Sequence, residues 1–302
     1  MKTQAPHAAL TKMPTGIEGF DEITSGGIPR GRTTLLLGGA GSGKTVFALQ
    51  VLVEGALHAK EAGIFVAFEE PARQIVANAF TFGWDLPTLT KKKLFFLDAR
   101  LAPETVHAGE FDLVGLLGML EAKAKELKAT RIVFDGIDVL LSLLDNPVVE
   151  RREIYRIRDW LMRSGLTGII TQKVNAFDHD PRYGFLRFMV DCVVALRQQV
   201  HDGSAFRTLR VVKYRGSGFA GDEFPISLTA HGLRLTNRGP ASSTRSPSSG
   251  SRRDFPASTT CCRAVITAAA TSSSPGRQAR HGPRSPVSSP PPPANGGSAR
   301  CT

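Results

Sequence analysis

The stretch that most constrains this chain is LLLGGAGSGKT at residues 35–45. From Gly38 onward it fits the pattern G-x-x-x-x-G-K-[ST], in which glycine and other small residues let the backbone wrap around a polyphosphate. The N–H groups of such a loop, and of the helix that follows it, face the anion. Residues 33–37 have the composition of a buried strand and residues 46–57 that of a buried helix. This order of strand, loop and helix predicts a site for a nucleoside triphosphate.

Individual loop positions have distinct roles in that prediction. Lys44 is expected to reach the β- and γ-phosphates of ATP, and Thr45 is expected to place its hydroxyl on the Mg²⁺ that bridges them. The alternative is a glycine-rich turn without a ligand, and the apolar segments on both sides argue against it. The predicted ATP-binding positions of the loop are Gly39, Gly41, Ser42, Gly43, Lys44, Thr45 and Val46.

Strand-like and helix-like segments alternate as far as about residue 172. After the phosphate loop and its helix, strands are predicted at 63–68, 94–97, 131–134 and 167–170, and helices at 71–80, 112–127 and 149–163. This alternation favours an α/β fold with a mainly parallel sheet covered by helices on both faces. From residue 190 the pattern changes to strands joined by short turns, at 192–197, 208–214, 224–228 and 233–235. These C-terminal strands predict antiparallel hairpins along one edge of the sheet.

Polar residues follow several of the predicted parallel strands. In open α/β sheets, ligands bind beyond the carboxyl ends of the strands. Asp135 has the position of the carboxylate that holds Mg²⁺ in P-loop ATPases. Glu69 and Glu70 are both candidates for the general base that polarises the attacking water. Thr171 and Gln172 follow a third strand. Any one of these could be an exposed loop residue, but three such strand ends beside a phosphate loop favour a catalytic site.

The charge of the chain is unevenly distributed. Its net charge of +11 includes +7 from residues 240–302, which hold eight arginines and one aspartate. Residues 1–239 keep only +4, which is a weak signal for nucleic-acid binding. No segment approaches the roughly 20 apolar residues that span a bilayer, so the sequence predicts a cytoplasmic protein without a membrane partner.

The cysteines do not form a metal-binding pattern. Cys192 lies in an apolar run and is interpreted as a small core residue. Cys261, Cys262 and Cys301 lie in the arginine-rich tail, and no C-x-x-C pair is present to hold zinc.

A series of short motifs together points to a known family. They are TGIEGFD at 15–21, GGIPRG at 26–31, the phosphate loop, FEE at 68–70, FGWD at 82–85, RYG at 182–184 and KYRG at 213–216. In order and spacing, residues 11–236 resemble KaiC, the circadian-clock ATPase family within the RecA-like P-loop superfamily. The resemblance is greatest to the first of the two ATPase domains in that family.

The resemblance implies an assembly as well as a reaction. KaiC-like domains form homohexameric rings with Mg²⁺ and ATP between subunits, hydrolyse ATP slowly, and act with clock-type protein partners. Glu69 and Glu70 match the catalytic pair. Lys213 and Arg215 match residues that reach the nucleotide of the neighbouring subunit, as an arginine finger does. The other nucleotide-contacting positions implied are Thr81, Tyr214 and Ser217.

The sequence departs from the family pattern at two positions. Phe219 stands where the family has histidine, and Ala230 stands where it has aspartate. Both family residues lie near the base and sugar of the nucleotide, so these departures concern base selectivity and affinity rather than phosphate chemistry. Lys213 and Arg215 also have a simpler interpretation, as a solvated strand end.

Two other functions remain open at this point. A RecA/RadA-like DNA-dependent ATPase for recombination or repair would share the fold and the loop. It would present basic loops to DNA, whereas residues 174–183 contain Asp178 and Asp180 beside Arg182. A nucleotide-gated interaction platform with negligible turnover is the other alternative. ATP turnover measured with and without DNA distinguishes the three functions.

The tail at 240–302 is predicted to be disordered. It is rich in Ser, Pro, Ala, Thr, Gly and Arg, with four consecutive prolines at 290–293, and has few large apolar residues to bury. A basic linker is the simple interpretation. The domain boundaries expected are therefore 1–239 for the ATPase domain and 240–302 for the tail.

A more specific hypothesis is that the tail is a frameshifted start of a second ATPase domain. With suitable third bases, a shifted reading of residues 253–269 permits GLPGLDDMLPGGDYRG, which aligns without a gap to GIEGFDEITSGGIPRG at 16–31. Such a product would lack the autokinase half found in the family. The nucleotide sequence of the gene tests this hypothesis. A second phosphate loop should follow in the shifted frame, and its absence would leave the tail a linker.

Overall fold

The computed structural model describes residues 10–100, 112–144, 146–174, 184–201 and 204–236. These residues all belong to one structural unit, Met1–Ser243. The predictions for the tail at 240–302, and for most of the segment at 174–183, lie outside the described residues and stay predictions. Within the described ranges, no helix has both the length and the apolar character needed to cross a bilayer.

The chain alternates between strands and helices, as its sequence pattern predicts. The strands are β1 (Lys12–Met13), β2 (Ile28–Pro29), β3 (Thr33–Gly38), β4 (Ala62–Ala67), β5 (Leu94–Asp98), β6 (Ala129–Asp135), β7 (Thr167–Lys173), β8 (Cys192–His201), β9 (Ser204–Tyr214), β10 (Glu223–Thr229) and β11 (Gly232–Leu235). The helices are α1 (Phe20–Ile23), α2 (Lys44–Leu57), α3 (Ala72–Ala79), α4 (Leu86–Thr90), α5 (Leu113–Leu127), α6 (Ile137–Ser142), α7 (Pro147–Ser164) and α8 (Leu186–Met189), with a 3₁₀ turn at Phe80–Phe82.

Nine of the described strands form one sheet in the order β11-β10-β9-β8-β3-β7-β6-β4-β5. The pairs from β8 across to β5 are parallel, and the pairs from β8 outward to β11 are antiparallel. Gly38 pairs with Lys173, and Ala67 pairs with Asp135, so the carboxyl ends of β3, β7, β4 and β6 meet at one edge. This confirms the predicted α/β fold with a mainly parallel sheet and C-terminal antiparallel strands.

Strand β8 has one partner that the sequence pattern did not indicate. As predicted for 192–197, β8 forms an antiparallel hairpin, with β9, but on its other side it pairs in parallel with β3. Parallel neighbours need a long crossover, and residues 174–191 between β7 and β8 are enough for one. Since β8 pairs in both ways, it is the strand at which the sheet changes from parallel to antiparallel.

Helix boundaries also shift where capping residues set them. α7 begins at Pro147, two residues before the predicted start, because Asn146 Oδ1 accepts hydrogen bonds from the N–H groups of Val148 and Val149. Asp112 caps α5 in the same way, accepting from the N–H groups of Val114 and Gly115, so this helix begins one residue after the predicted start. The short helices α1, α4, α6 and α8 have too few residues to show a period in the sequence.

Both faces of the central parallel part of the sheet are buried. On β3, the Leu36 side chain lies in the core beneath α2, whereas Leu35 and Leu37 lie in the core beneath α5 and α7. Strands covered on both faces read as continuous apolar runs, which is the pattern of residues 35–37. Cys192 is fully buried, as predicted, and burial raises the pKa of its thiol to about 12.

A buried arginine ties the segment before the phosphate loop to the sheet. Arg131 on β6 donates from Nε to Glu61 Oε2 at 2.7 Å and from Nη1 to the carbonyls of Pro14 and Val51, at 3.1 and 2.6 Å. Arg30 donates to the other oxygen of Glu61 at 2.7 Å. Because each of these groups has a partner, the charge of Arg131 is tolerated in the interior. The network holds the lead-in segment, α2 and β6 in fixed relation to one another.

Candidate nucleotide-binding and catalytic site

The phosphate loop joins the end of β3 to the start of α2. Gly41 and Gly43 have φ angles of +69° and +99°, in the left-handed region that side chains other than glycine rarely adopt. At Gly38, a Cβ atom would lie 2.6 Å from the carbonyl oxygen of Leu196. The glycines are therefore needed for the path of the backbone. This path leads directly into the N-terminus of α2, where free N–H groups favour an anion.

Lys44 folds back over this loop. Its Nζ donates to the carbonyl oxygens of Gly38 and Gly39, both at 2.9 Å. Burial lowers the pKa of the Lys44 ammonium, while the charges of Asp135 and Glu69 act in the opposite direction. Ser42 Oγ also donates to the carbonyl of Gly39, at 2.9 Å. The Lys44 ammonium is thus held against the phosphate loop, near the carboxylates of Asp135 and Glu69.

Asp135 contacts two hydroxyl groups from other elements. Thr45 Oγ1 on α2 donates to Asp135 Oδ2 at 3.1 Å, and Thr171 Oγ1 on β7 donates to Oδ1 at 2.7 Å. Only 5% of Asp135 is exposed. Burial raises its pKa, and the hydrogen bonds from Thr171 and Thr45 and the charge of Lys44 oppose that rise. A hydroxyl and a carboxylate side by side are oxygen ligands of the kind that Mg²⁺ takes.

Two polar groups of the site carried little signal in the sequence. Thr171 stood out only as a polar residue after a strand, yet it orients Asp135 and also accepts a hydrogen bond from the N–H of Gly136, at 2.8 Å. No pattern in the sequence indicated a role for Asp138. Its Oδ1 accepts from the N–H of Lys173 at 2.9 Å, and burial raises its pKa. Asp138 lies in the first turn of α6, a helix too short to recognise in the sequence.

The two candidate glutamates have different surroundings. Glu69 follows β4 and packs against Gly136, where a Cβ atom would lie 2.9 Å from Glu69 Cβ and 3.6 Å from Oε2. Gly136 has a φ of +79° and directly follows Asp135. Glu70 accepts a hydrogen bond from Asn78 on α3 instead, at 3.0 Å. Of the pair, the structure brings Glu69 to the side of Asp135.

Lys213 and Arg215 lie at the opposite edge of the sheet. Between them in sequence, Tyr214 on β9 pairs with Cys192 on β8, which pairs with Thr34 near the start of β3. The phosphate loop begins four residues further along β3, at Gly38. At about 3.3 Å per residue, the position of Tyr214 along the strand direction is therefore roughly 13 Å from that of Gly38. The structure does not bring these two cations to the phosphate loop of their own chain.

Both cations instead cap the end of α8. Lys213 Nζ donates to the carbonyls of Arg187, Phe188 and Val190, at 2.8, 3.3 and 2.6 Å. Arg215 Nη2 donates to the carbonyl of Phe188 at 2.8 Å. Burial, and after it the neighbouring charge of Arg215, lowers the pKa of Lys213.

The remaining predicted contacts are spread over the domain. Tyr214 is buried and donates its hydroxyl to the carbonyl of Gly27 at 3.0 Å, so its side chain belongs to the core. Phe219 stacks on it, with 6.4 Å between ring centroids. Thr81 Oγ1 donates to the carbonyl of Asn78 at 2.7 Å, and Ser217 Oγ to that of Gly218 at 2.9 Å.

Ala230 lies in the turn between β10 and β11. A Cβ atom on Gly83 would lie 3.8 Å from the Ala230 carbonyl oxygen. This turn therefore packs near the segment that carries Thr81, whereas Phe219 lies beside Tyr214. The two positions at which the sequence departs from the family pattern are in different parts of the domain.

A family model described as "ATPase: KaiC" matches residues 13–239 of this chain. The chain belongs to the KaiC family of ATPases. Family membership implies nucleotide binding, and it confirms the resemblance inferred from the short motifs and the RecA-like form of the α/β fold.

Named KaiC relatives give the same result. The chain is 39% identical over 237 residues to "Circadian clock protein KaiC2" from Synechocystis sp., covering 78% of this chain and 42% of that protein. It is 41% identical over 229 residues to "Circadian clock oscillator protein KaiC" from Prochlorococcus marinus strain SARG, covering 75% and 46%. The protein of that name from Synechococcus elongatus is 38% identical over 232 residues, covering 76% and 45%. This KaiC-family chain spans less than half the length of these relatives.

We expect Asp135→Asn to make the nucleotide-free chain more stable at pH 7, by on the order of 1 kcal/mol. The raised pKa means that the folded state binds the proton of Asp135 more tightly than the unfolded state does. Wild type should therefore lose stability relative to the variant as the pH rises through the folded-state pKa of Asp135. Urea unfolding of both proteins between pH 4 and pH 8 measures this difference.

Asp85→Asn is the matched control for this measurement. Asp85 is an exposed N-cap of α4 whose pKa is lowered by its hydrogen bonds to Thr88, so its substitution should reduce stability at neutral pH. The free energies of unfolding of wild type and Asp135→Asn should become equal as the pH falls and Asp135 is protonated in both states. If Asp135→Asn were less stable than wild type at pH 7, that result would contradict the account of Asp135.

Proposed function

We propose that this chain is a slow Mg-ATP hydrolase that works at the subunit interfaces of a KaiC-like homohexameric ring. The observation that carries the proposal is the meeting of Lys44, Thr45, Asp135 and Glu69 at the carboxyl edge of the sheet. A phosphate-binding loop, a cation, oxygen ligands for a metal and a carboxylate for a water are the parts that ATP hydrolysis requires.

The residues present fit both ATP and Mg²⁺. The glycine loop and the N-terminus of α2 would hold the phosphates through the N–H groups of residues 39–46, together with the Lys44 ammonium. Thr45 and Asp135 would hold Mg²⁺, because a hydroxyl and a carboxylate suit a hard cation. When bound, the ion neutralises charge on the β- and γ-phosphate oxygens.

Glu69 is the residue to which we assign water activation. It is exposed, so water can approach it, and it packs against Gly136 beside the Asp135 carboxylate. Its carboxylate would orient the attacking water and accept a proton from it as the water oxygen bonds to the terminal phosphorus. The bond from that phosphorus to the bridging oxygen would break at the same time, so that ADP leaves. Glu70, which accepts a hydrogen bond from Asn78, would hold α3 in place beside the site.

The position of Lys213 and Arg215 supports a site shared between subunits. Both residues flank Tyr214, whose position along the sheet is roughly 13 Å from the start of the chain's own phosphate loop, at about 3.3 Å per residue. In a head-to-tail ring the amino edge of one subunit can face the carboxyl edge of the next. We infer that the two cations stabilise the transition state on the neighbour's ATP, with Thr81, Ser217 and the backbone of Tyr214 as further nucleotide contacts.

The biological role that fits this site is a nucleotide-timed clock or signalling ATPase in the cytoplasm. The relatives matched are circadian clock proteins by name. We propose that slow turnover times the binding of clock-type protein partners.

We expect Glu69→Gln to lower the ATP turnover number by about 10²-fold or more, the usual contribution of a general base. Glu70→Gln is the matched control and should retain most of the turnover, because Glu70 is bonded to Asn78. Neither change should alter the ATP dissociation constant, since both lie outside the phosphate loop. Phosphate release at saturating ATP and equilibrium binding measure the two quantities.

The same assay separates the alternative functions. Wild-type turnover at Glu69→Gln, or an equal loss at Glu70→Gln, would show that the base is misassigned. Stimulation of turnover by DNA would favour a RecA/RadA-like ATPase. Negligible turnover with intact ATP binding would favour an interaction platform.

A second expectation concerns assembly. Specific activity should rise with protein concentration, and ATP should promote a hexamer detectable by light scattering. Arg215→Ala should lower turnover by on the order of 10³-fold, as loss of an arginine finger does, while the dilute chain still binds ATP. Arg197→Ala, which removes an exposed ion pair to Glu223, is the control. A persistent monomer with full activity would disprove the shared site.

A further inference from the structure

The hairpin of β8 and β9 reaches the phosphate loop of its own chain. Gln198 on β8 and Arg207 on β9 face each other across the antiparallel ladder. Arg207 Nε donates a hydrogen bond to the carbonyl oxygen of Gly41, at 3.0 Å. Gly41 is a central residue of the phosphate loop, and Arg207 is separated from it by 166 positions in sequence.

The side chain of Gln198 also lies against Gly41. A Cβ atom on Gly41 would lie 2.7 Å from Gln198 Oε1. That oxygen is buried, and within the described part of the chain it has no hydrogen-bond partner. The hairpin therefore packs against the Cα of Gly41 through one residue and bonds to its carbonyl through the other.

The Arg207 bond has a consequence for the next N–H group of the loop. In a planar trans peptide the C=O and N–H groups point in opposite directions. A guanidinium that holds the carbonyl of Gly41 therefore turns the N–H of Ser42 into the loop, where it meets the carbonyl of Gly39 at 3.4 Å. A bond of that length is weak, so the N–H is available to a stronger acceptor such as a phosphate oxygen.

We propose that Arg207 is a positioning residue of the phosphate loop, which fixes the peptide between Gly41 and Ser42 in the orientation that binds phosphate. The proposal rests on nucleotide binding by this loop, as inferred above. Its role is distinct from that of Lys213, near the other end of the same strand, and of Arg215, which directly follows that strand. Arg207 acts within its own chain and before any ring forms.

The test compares Arg207→Gln with wild type in the full chain, using calorimetric titration with Mg-ADP at a protein concentration that keeps the chain dilute. We expect the dissociation constant to rise about tenfold, the effect of losing one charge-assisted hydrogen bond. Turnover at saturating ATP should change by less than about twofold, since Lys44, Asp135 and Glu69 are intact and a positioning defect is overcome once the site is filled. Urea unfolding should show an unchanged midpoint.

Arg210→Gln is the matched control. Arg210 lies on the same strand and donates from Nε to a loop carbonyl, that of Gly221, at 2.9 Å, without touching the phosphate loop. It should bind Mg-ADP as wild type does. Equal losses in the two variants, or wild-type affinity in Arg207→Gln, would overturn the proposal.

Two further arms complete the test. The affinity ratio of Arg207→Gln to wild type should persist at 1 M salt, where the Debye length is about 3 Å, and its disappearance would mean that Arg207 acts only as a remote charge. Lys44→Ala should abolish binding. If Lys44→Ala abolishes binding of Mg-ADP while Arg207→Gln binds it as wild type does, the loop binds nucleotide but Arg207 does not position it. If Lys44→Ala also binds normally, the assignment of the loop itself is wrong.

Discussion

The contact between Thr45 and the buried carboxylate of Asp135 is the interaction on which the rest of the site depends. It joins the helix after the phosphate loop to the end of a strand two places away in the sheet. Burial makes a charged Asp135 unfavourable, and the hydroxyl of Thr171 and the ammonium of Lys44 offset that cost only in part. The domain therefore holds a carboxylate whose chemistry opposes stability, which is typical of functional sites.

Strand β9 connects the phosphate loop to the region that we propose as a subunit interface. Its Arg207 holds the chain's own loop, whereas Lys213 and Arg215 lie at the other edge of the sheet. Six residues of extended chain separate Arg207 from Lys213, or roughly 20 Å at about 3.3 Å per residue. Because a strand in a paired sheet is stiff, the two groups of cations keep a constant separation. In the proposed ring, this strand would contribute cations to two nucleotide sites that stay a constant distance apart.

Much of this arrangement follows from local patterns. The apolar run before Gly38 and the glycine pattern after it identify a phosphate loop, because few other backbones place that many glycines ahead of a Lys-Thr pair. The place of Asp135 at the carboxyl edge of the sheet could be predicted from its position after an apolar strand, since parallel strands bring their carboxyl ends together. Both features depend on residues within one element, and the metal-binding role of Asp135 stays a prediction.

Other features depend on contacts between elements that are distant in sequence. Glu69 and Glu70 are adjacent in sequence, and no local pattern distinguishes their roles. In the structure Glu69 packs against Gly136, whereas Glu70 accepts a hydrogen bond from Asn78. The Arg207 bond to Gly41 carries no local pattern at all. By itself the sequence determined the loop, the order of strands and helices and the chemical groups at the strand ends, because these follow from composition and period. The tertiary structure decided which glutamate faces the site, the direction of β8 and the edge on which Lys213 and Arg215 lie, because strand register and packing orient side chains.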